Sequence, residues 1–368
     1  MRILVYFIGN SRAVDQQSVM EMLCKKGHKV FLLTHFPKGD LHRNAEKYGV
    51  KAFSAGLKKN NGLSGYIKHT GFLISFVRKN KIDVVFAHLQ PAGLIASIAR
   101  WFVKFKLYYV RHNTDEHLIV RNRNAIFVNR VVNSIAPKII APSEKVYKYI
   151  TEVEKISPGK ITRINYGYNF NQYLETDKTG QAKSIRQQFP ARLLLVSVAR
   201  LIPAKRHILM FEAVSTLLKQ GYDIELICIG SGPLKETLED HLTKNNLTEK
   251  IFLPGPKTNV FDYLEAADVF LHLSETEASN SAVKEAGYCR KPVIVCPDVG
   301  DFSDYVQNGI NGFLVKKNDP VPGTVEAILF LYNNPEAIKT MGQKLFDTVT
   351  EEFSINKVAG LYEKILEE

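Results

Sequence analysis

Short apolar runs alternate along the chain with longer segments in which apolar residues recur at helical spacing. The runs are rich in Val, Ile, Leu and Phe, which is typical of parallel strands buried on both faces. In the first half, strands are predicted at residues 3–8, 29–34, 83–87, 107–111 and 138–141. Helices are predicted between them, for example at residues 13–26, 63–80, 92–102 and 125–133.

A polar stretch at residues 169–188 interrupts this pattern, which restarts at residues 192–198. Later strands are predicted at residues 224–229, 251–253, 269–273 and 292–295, with helices between them and three more at residues 321–333, 335–351 and 355–366. This pattern predicts two doubly wound α/β domains, which bind ligands at the carboxyl ends of their strands. The expected division is a first domain at 1–170, a linker at 171–190, a second domain at 191–350, and a C-terminal helix at 351–368 that packs back on the first domain.

Composition places the chain among ordinary globular proteins, with 45% hydrophobic and 23% charged residues in a length of 368. Its cysteines form no Cys-x-x-Cys pair, so a zinc site is not expected. We expect them to be reduced thiols in a cytoplasmic protein. These cysteines are Cys24, Cys228, Cys289 and Cys296. The N-terminus is predicted to be a buried strand and not a signal peptide. The apolar stretches at 71–77 and 92–103 are too short to span a bilayer, so we expect a soluble or peripheral protein.

The net charge of +12 is unevenly distributed. Residues 1–180 hold 29 Lys and Arg against 12 Asp and Glu, a net +17, whereas residues 181–368 carry a net −5. A basic half attracts anions over a Debye length. Acidic lipid headgroups, a pyrophosphate-linked acceptor and nucleic acid are the candidates that this charge leaves open.

The most informative segment lies in the second half, where a strand leads through a polar loop to a helix expected to begin near Ser281. Glu277 lies in the loop and Glu285, eight residues later, lies in the second helical turn. The amides of residues 279–282 at the helix N-terminus suit an anion. Carboxylates on either side of them suit the hydroxyls of a sugar and a ribose.

A second candidate segment follows the strand at 192–198 and opens the next helix. Arg200 and Lys205 lie on this connection, where both could reach one diphosphate. An Arg fork and a Lys point charge together are well suited to phosphate oxygens.

Taken together, these segments resemble the retaining glycosyltransferases of family 4, which have the GT-B fold. The family has a Gly/Ala-Arg, a nearby Lys, a Glu-x7-Glu motif, a Pro-Val-Ile strand and a Gly in this order. The matching residues here are Arg200, Lys205, Glu277, Glu285, Pro292-Val293-Ile294 and Gly300, with Gly230-Ser231-Gly232-Pro233 resembling a further family turn. The resemblance implies two Rossmann-like domains with a donor cleft between them.

By this resemblance, Arg200 and Lys205 neutralise the donor diphosphate, Glu285 binds the ribose hydroxyls and Glu277 contacts the donor sugar. Ser279, Asn280 and Ser281 complete the expected donor site at the helix N-terminus. One departure affects this site. Many family members have Glu-Gly-Phe-Gly where this chain has Glu277-Ala278-Ser279-Asn280, so both glycines and the Phe are missing. Asn280 could cap the helix, but the sugar specificity of the commoner motif does not carry over.

The first half resembles the family less closely. Gly9 stands where the family often has a Gly-Gly loop that approaches the donor phosphate. His112 follows a strand in the position of the family's histidine beside the reaction centre, and is expected to contact the transferred sugar. His88, Arg111 and Asp115 are weaker candidates for acceptor binding, and a structural role for His88 is equally open.

The resemblance implies a hexosyltransferase of cell-surface polysaccharide synthesis, and the cations and helix amides predict that it is metal-independent. It would use a nucleotide-sugar donor, with UDP slightly favoured over GDP, a glycan or lipid-linked acceptor, and no cofactor. The absence of an Asp-x-Asp motif leads to the expectation of no metal. Retention of anomeric configuration is implied by the resemblance alone, and the oligomeric state stays open.

Two other functions compete with this prediction. A nucleotide-sugar 2-epimerase could share the architecture, but it would not need the basic first half. A nucleic-acid-binding protein would fit the charge, yet no nucleic-acid motif accompanies it. A dehydrogenase is disfavoured because neither half opens with Gly-x-Gly-x-x-Gly.

Basic residues of the first half are interleaved with aromatic ones, most clearly in the run from Arg100 to Lys106 that contains Trp101 and Phe102. This mixture is typical of a surface that binds lipid headgroups. We therefore expect the first domain to dock on an anionic membrane, at the inner face of the cell membrane. The alternative is that Trp101 and Phe102 are core residues.

Overall fold

The computed structural model describes residues 1–10, 13–56, 63–112, 123–171, 178–277 and 279–367; of residues 63 and 123–128 it describes the backbone. The chain forms two compact units. The first unit comprises Met1–Asn169 together with Phe353–Glu368, and the second comprises Phe170–Glu352.

The first unit is built on a parallel sheet with strand order β3-β2-β1-β4-β5-β6-β7. The strands are β1 Arg2–Phe7, β2 Lys29–Thr34, β3 Lys51–Ser54, β4 Val84–His88, β5 Lys106–Val110, β6 Lys138–Ala141 and β7 Ile161–Arg163. The helices around them include Val14–Lys25, Asp40–Glu46, Leu63–Asn80, Gln90–Ala99, Arg123–Ile135 and Glu144–Lys148. Both faces of the sheet are buried, because successive residues of β1 enter different hydrophobic clusters.

The C-terminal helix Ile355–Glu367 is part of the first unit. Its buried face, which includes Val358, Tyr362 and Ile365, packs in the same cluster as Ile3 of β1. A helix from the far end of the chain therefore completes the core of the first unit.

The second unit has a parallel sheet with strand order β10-β9-β8-β11-β12-β13. The strands are β8 Leu193–Val198, β9 Ile224–Ile229, β10 Ile251–Gly255, β11 Val269–His272, β12 Val293–Val295 and β13 Gly312–Leu314. The helices include Ala182–Gln188, His207–Lys219, Lys235–Lys244, Val260–Ala266, Ser281–Tyr288, Phe302–Tyr305, Pro320–Asn333 and Pro335–Glu352. Two Rossmann-like sheets, each covered by helices, confirm the predicted fold class.

Of the segment expected to be a linker, residues 171–190, the part from residue 178 onwards differs from that expectation. Helix Ala182–Gln188 belongs to the second unit and buries Ile185. Just before it, the amides of Thr179 and Gly180 donate to the Asp262 carboxylate. A buried apolar residue and a carboxylate that accepts backbone amides therefore attach residues 179–188 to the second unit.

Each sheet reverses its strand order at one point, between β1 and β4 in the first unit and between β8 and β11 in the second. Loops leaving the carboxyl ends of such neighbouring strands diverge and leave a crevice between them. His88 ends β4 and His272 ends β11, so both histidines mark these crevices. Across the described ranges, no helix is long and apolar enough to cross a membrane.

Candidate active site

A pocket of about 470 Å³ lies at the carboxyl edge of the second sheet. Seven residues singled out from the sequence line it: Arg200, Lys205, Glu277, Ser279, Asn280, Ser281 and Glu285. They come from the connection after β8, from the segment after β11 and from the helix Ser281–Tyr288 that follows it. The crevice between two neighbouring parallel strands thus brings together residues that are more than seventy positions apart in the sequence.

Side chains from three described residues donate to the carboxylate of Glu277. Its Oε1 atom accepts from Lys205 Nζ, from His272 Nε2 at 2.8 Å and from Asn280 Nδ2 at 3.0 Å. Burial alone would raise the pKa of Glu277, but the hydrogen bond from His272 and the charge of Lys205 outweigh it and hold this pKa well below its usual range. Glu277 is therefore an ionised hydrogen-bond acceptor at neutral pH.

Asn280 caps the helix that follows. Its side-chain oxygen accepts from the Val283 amide at 3.1 Å, as the sequence predicted for an N-cap. Ser281 and Ala282, the first residues of the helix, line the pocket. Amides in the first helical turn have no partner within the helix and carry the positive end of its dipole, so this wall of the pocket suits an anion.

Glu285 lies one turn further along the same helix and lines the same pocket, partly buried. Arg200 is exposed at the opposite loop, whereas Lys205 is only 8% exposed. With Lys257, which also lines it, the pocket therefore presents three cations, a helix N-terminus and two carboxylates.

The opposite wall includes residues that sequence reasoning had not assigned to the site, among them Gly230, Ser231 and Lys257. Gly230 has a φ of +148°, and a Cβ atom there would lie 1.9 Å from the carbonyl oxygen of Ala199. Only glycine lets these two loops approach so closely. The resemblance of residues 230–233 to a family turn was the sequence signal that could have assigned Gly230 and Ser231 to the pocket.

Arg206 is a further residue that the sequence did not reveal. Its backbone is left-handed, with a φ of +50°, between the turn Pro203–Lys205 and the next helix. Its guanidinium donates to the carbonyl oxygens of Leu273 and Lys317, both at 2.8 Å. These bonds connect the loop that carries Lys205 to the end of β11. Arg206 therefore fixes the position of Lys205 relative to the loop that follows β11.

In the first unit, the predicted residues Gly9, His88 and His112 lie around the ring of Phe7. A Cβ atom on Gly9 would be 3.2 Å from that ring, and the two imidazoles make edge contacts with it. His88 Nδ1 and His112 Nε2 are 2.9 Å apart, and His112 Nδ1 is 2.5 Å from the hydroxyl of Tyr166. Tyr166 is the partner that the sequence did not single out.

Both imidazoles are neutral at physiological pH. Burial lowers the pKa of His112 to about 4. Burial, with a contribution from His112, also lowers the pKa of His88 well below its usual value. The pair therefore offers neutral hydrogen-bonding groups and no positive charge.

The acceptor-binding prediction for Arg111 does not fit its surroundings. Arg111 is 1% exposed, and its two terminal nitrogens donate to the two carboxylate oxygens of Glu154 at 2.9 and 3.0 Å. A guanidinium buried in this bidentate pair is not accessible to an acceptor, and its role is structural. Asp115, the other weak candidate, lies outside the described residues.

Among the residues that the structure describes, no group of three or more His, Cys, Asp or Glu side chains is arranged to hold a metal ion.

Two family patterns match this chain. The pattern described as Glycosyl transferases group 1 matches residues 181–345, the unit that holds the pocket. The pattern described as Glycosyltransferase Family 4 matches residues 17–172. The chain belongs to the GT-B glycosyltransferases.

Relatives and solved structures agree with this assignment. The chain is 24% identical over 339 residues to alpha-monoglucosyldiacylglycerol synthase from Acholeplasma laidlawii. The matched region covers 86% of this chain and 83% of that protein. It is 22% identical over 301 residues to N-acetyl-alpha-D-glucosaminyl L-malate synthase from Bacillus anthracis, covering 78% and 75%. Anabaena HepE, solved with UDP and glucose, superposes with a TM-score of 0.84 at 18% identity and covers all of both chains.

The protein is therefore a glycosyltransferase. This assignment decides against the epimerase and nucleic-acid alternatives that the sequence left open.

The histidine pair gives a testable titration. We expect the His112 ring to titrate with a pKa of about 4 in the folded protein and of about 6.5 in denaturant. As the pH falls, the unfolded chain therefore takes up a proton on His112 at a higher pH than the folded protein does. Between the unfolded pKa and the folded pKa, His112 progressively lowers the free energy of unfolding as the pH falls. Histidine-selective NMR measures both values.

The matched control is Tyr166→Phe, which removes a hydrogen bond and leaves His112 buried, so its pKa should stay low. A folded-state pKa near the denatured value would contradict the burial on which this account depends.

Proposed function

We propose that this protein is a retaining, metal-independent hexosyltransferase that moves a sugar from a UDP-sugar to a lipid-linked glycan acceptor in cell-surface polysaccharide synthesis. The observation that carries the proposal is the pocket in the second unit, where Arg200, Lys205 and a helix N-terminus lie beside Glu277 and Glu285. Cations and amides suit a diphosphate, and carboxylates suit sugar and ribose hydroxyls.

In this proposal the leaving group is a nucleoside diphosphate. Breaking the anomeric C–O bond leaves negative charge on the β-phosphate while the sugar becomes oxocarbenium-like. Arg200, Lys205 and the amides at Ser281 and Ala282 stabilise that charge, and their fixed positions mean that little reorganisation is needed as it develops. These groups supply the charge stabilisation that a metal would otherwise provide.

The carboxylates orient the donor. Glu277 is ionised and held by Lys205, His272 and Asn280, so it accepts hydrogen bonds from the donor sugar without changing its own charge. Glu285 accepts from the ribose hydroxyls. By the family resemblance, Gly9 is the proposed contact of the donor phosphate and His112 that of the transferred sugar.

Retention is proposed from the family resemblance. The acceptor hydroxyl would attack the anomeric carbon from the same face that the diphosphate leaves, and the departing phosphate would take the hydroxyl proton. No covalent intermediate on the protein is needed for this course.

UDP is the proposed nucleotide because similar structures bind it. HepE has been solved with UDP and glucose and with UDP-glucose, at 18% and 16% identity to this chain. Identity this low leaves the sugar itself open, and Ser279 and Asn280 stand where the commoner motif has other residues.

The acceptor proposal rests on relatives and on the surface of the first unit. One relative is an alpha-monoglucosyldiacylglycerol synthase by name. Another, from Staphylococcus aureus, is a poly(ribitol-phosphate) alpha-N-acetylglucosaminyltransferase, 23% identical over 47% of this chain. Trp101 and Phe102 are 76% and 59% exposed, so they are not core residues. Arg78 donates to the Phe102 carbonyl oxygen at 2.9 Å, which brings a cation of helix Leu63–Asn80 beside this aromatic pair.

We call Arg78, Arg100, Trp101, Phe102 and Lys104 the aromatic-basic patch. Aromatic rings and cations that are exposed together favour a headgroup boundary, where each cation contributes about 1 kcal/mol near an anionic surface. We propose that this patch docks the first unit on the inner face of the cell membrane.

The donor site is tested by alanine variants. Glu285→Ala should abolish transfer, because the ribose loses its acceptor. Arg200→Ala and Lys205→Ala should each lose roughly 2–4 kcal/mol of transition-state stabilisation, the scale of one fixed electrostatic donor. The measurement is kcat/KM with UDP-sugars, alongside thermal-shift binding of UDP, GDP and ADP.

Glu212→Ala, an exposed helical carboxylate of the same unit outside the pocket, is the control and should behave as the wild type. Normal turnover in a folded Glu285→Ala protein would refute the donor site.

Metal removal gives a second test. Because fixed cations and amides carry the phosphate charge in this proposal, transfer should persist at an unchanged rate in excess EDTA. Complete loss of activity that manganese or magnesium restores would contradict the proposed site.

Membrane docking is tested by liposome flotation. The protein should bind vesicles that contain phosphatidylglycerol, bind less as salt rises, and ignore phosphatidylcholine alone. Arg100→Glu/Lys104→Glu and Trp101→Ser should each weaken binding. Lys219→Glu/Lys244→Glu makes the same change of charge on the exposed surface of the second unit and should have a smaller effect. If the wild type ignores anionic vesicles at low salt, the docking proposal is wrong.

A further inference from the structure

A buried ion pair lies directly behind the loop that carries Glu277. Lys284 and Asp301 have side chains that are 0% and 1% exposed, and Lys284 Nζ is 2.7 Å from Asp301 Oδ2. Lys284 lies in helix Ser281–Tyr288, and Asp301 follows β12 and precedes helix Phe302–Tyr305. Neither side chain lines the pocket, so neither has a place in the donor contacts proposed above.

The ion pair holds the loop by hydrogen bonds to two of its atoms, the Ser279 hydroxyl oxygen and the Asn280 carbonyl oxygen. The Ser279 hydroxyl donates to Asp301 Oδ2 at 2.6 Å and lies 2.9 Å from Lys284 Nζ. Lys284 Nζ also donates to the Asn280 carbonyl oxygen at 3.1 Å. Residues 279 and 280 are therefore both anchored to the same buried charges.

From Asn280 the connection continues to the site. Its side chain donates to Glu277 and accepts from the Val283 amide, so the position of Asn280 sets both the carboxylate and the first helical turn. Displacing Asn280 would move two of the groups that face the proposed diphosphate and sugar. The ion pair thus acts on the pocket through Ser279 and Asn280, which both line it.

The same region is where the sequence departs from the commoner Glu-Gly-Phe-Gly motif. A phenylalanine at position 279 could be held by apolar packing, whereas serine has no such side chain and is held by charge-assisted hydrogen bonds. This comparison explains why a lysine and an aspartate are buried together behind this particular loop.

Stability alone is a weak reason for such a pair. Removing two charges from water is costly, and apolar residues of similar volume often pack at least as well. A buried ion pair with additional hydrogen bonds is better suited to fixing one arrangement of its surroundings.

We propose that Lys284 and Asp301 are positioning residues of the donor site, which hold Ser279 and Asn280 so that Glu277 and the helix N-terminus are fixed before the nucleotide binds. This inference rests on the proposed donor site in the second unit. It predicts that the pair governs donor affinity without touching the donor.

The experiment replaces the pair with apolar residues in Lys284→Met/Asp301→Leu and measures UDP affinity by calorimetry. We expect the Kd for UDP and the KM for the UDP-sugar to rise about tenfold or more, because small displacements of positioning groups have large effects. The KM for acceptor should not change.

The matched control is Arg111→Met/Glu154→Leu, which removes an equally buried ion pair from the first unit, with side chains 1% and 0% exposed. A general effect of losing buried charge would raise the Kd for UDP in both double variants. The proposal expects this Kd to rise only when the Lys284–Asp301 pair is replaced.

Two single variants keep the test informative if the double variant does not fold. Ser279→Ala removes the hydroxyl that is bonded to Asp301 and Lys284, at little cost in packing. It should raise the Kd for UDP several-fold, in the same direction as the double variant. Asp301→Asn keeps an oxygen that can accept from Ser279 and Lys284 but loses the negative charge, so its Kd for UDP should lie between those of the wild type and the double variant.

A folded double variant, or a folded Ser279→Ala, that binds UDP as the wild type does would overturn the proposal and leave the donor site intact. If the wild type binds none of UDP, GDP and ADP, the donor site itself fails, and the positioning role fails with it.

Discussion

A parallel sheet must be covered by helices on both faces, and this requirement governs both units of the protein. Each crossover returns the chain to the amino edge, so the loops that begin each helix collect at the carboxyl edge. Where the winding changes direction, between β1 and β4 and between β8 and β11, neighbouring loops diverge. The pocket of the second unit and the histidine pair of the first unit lie at these two points.

Electrostatic balance then shapes the pocket. A site for a diphosphate needs positive charge, yet cations without partners would destabilise the folded protein. Lys205 is paired with Glu277, while Arg200 is left exposed to the pocket. A helix N-terminus adds positive potential that needs no counter-charge, because it comes from backbone amides. Behind the loop, Lys284 and Asp301 form a second pair that is removed from solvent altogether.

Hydrogen bonds between loops keep these charges in place. Arg206 connects the Lys205 loop to the end of β11, and the Glu275 amide donates back to the Ala204 carbonyl oxygen at 2.8 Å. Gly230 allows a third loop to approach the first without steric conflict. The strained backbone of Arg206 is consistent with this view, since a left-handed conformation persists only where the surroundings enforce it.

The sequence alone determined the two Rossmann-like folds, because buried parallel strands leave a distinctive apolar pattern. The seven residues that line the pocket were predicted from the charges beside a helix N-terminus and from the resemblance to a family motif. It could not show that Arg111 is committed to Glu154, since a basic residue after a strand has the same appearance whether it faces solvent or a buried carboxylate. His272, Arg206, Tyr166 and the pairing of Lys284 with Asp301 were also decided by the tertiary structure. Their partners are distant in the chain, and only folding sets the distances and burial on which hydrogen bonds and charge pairs depend.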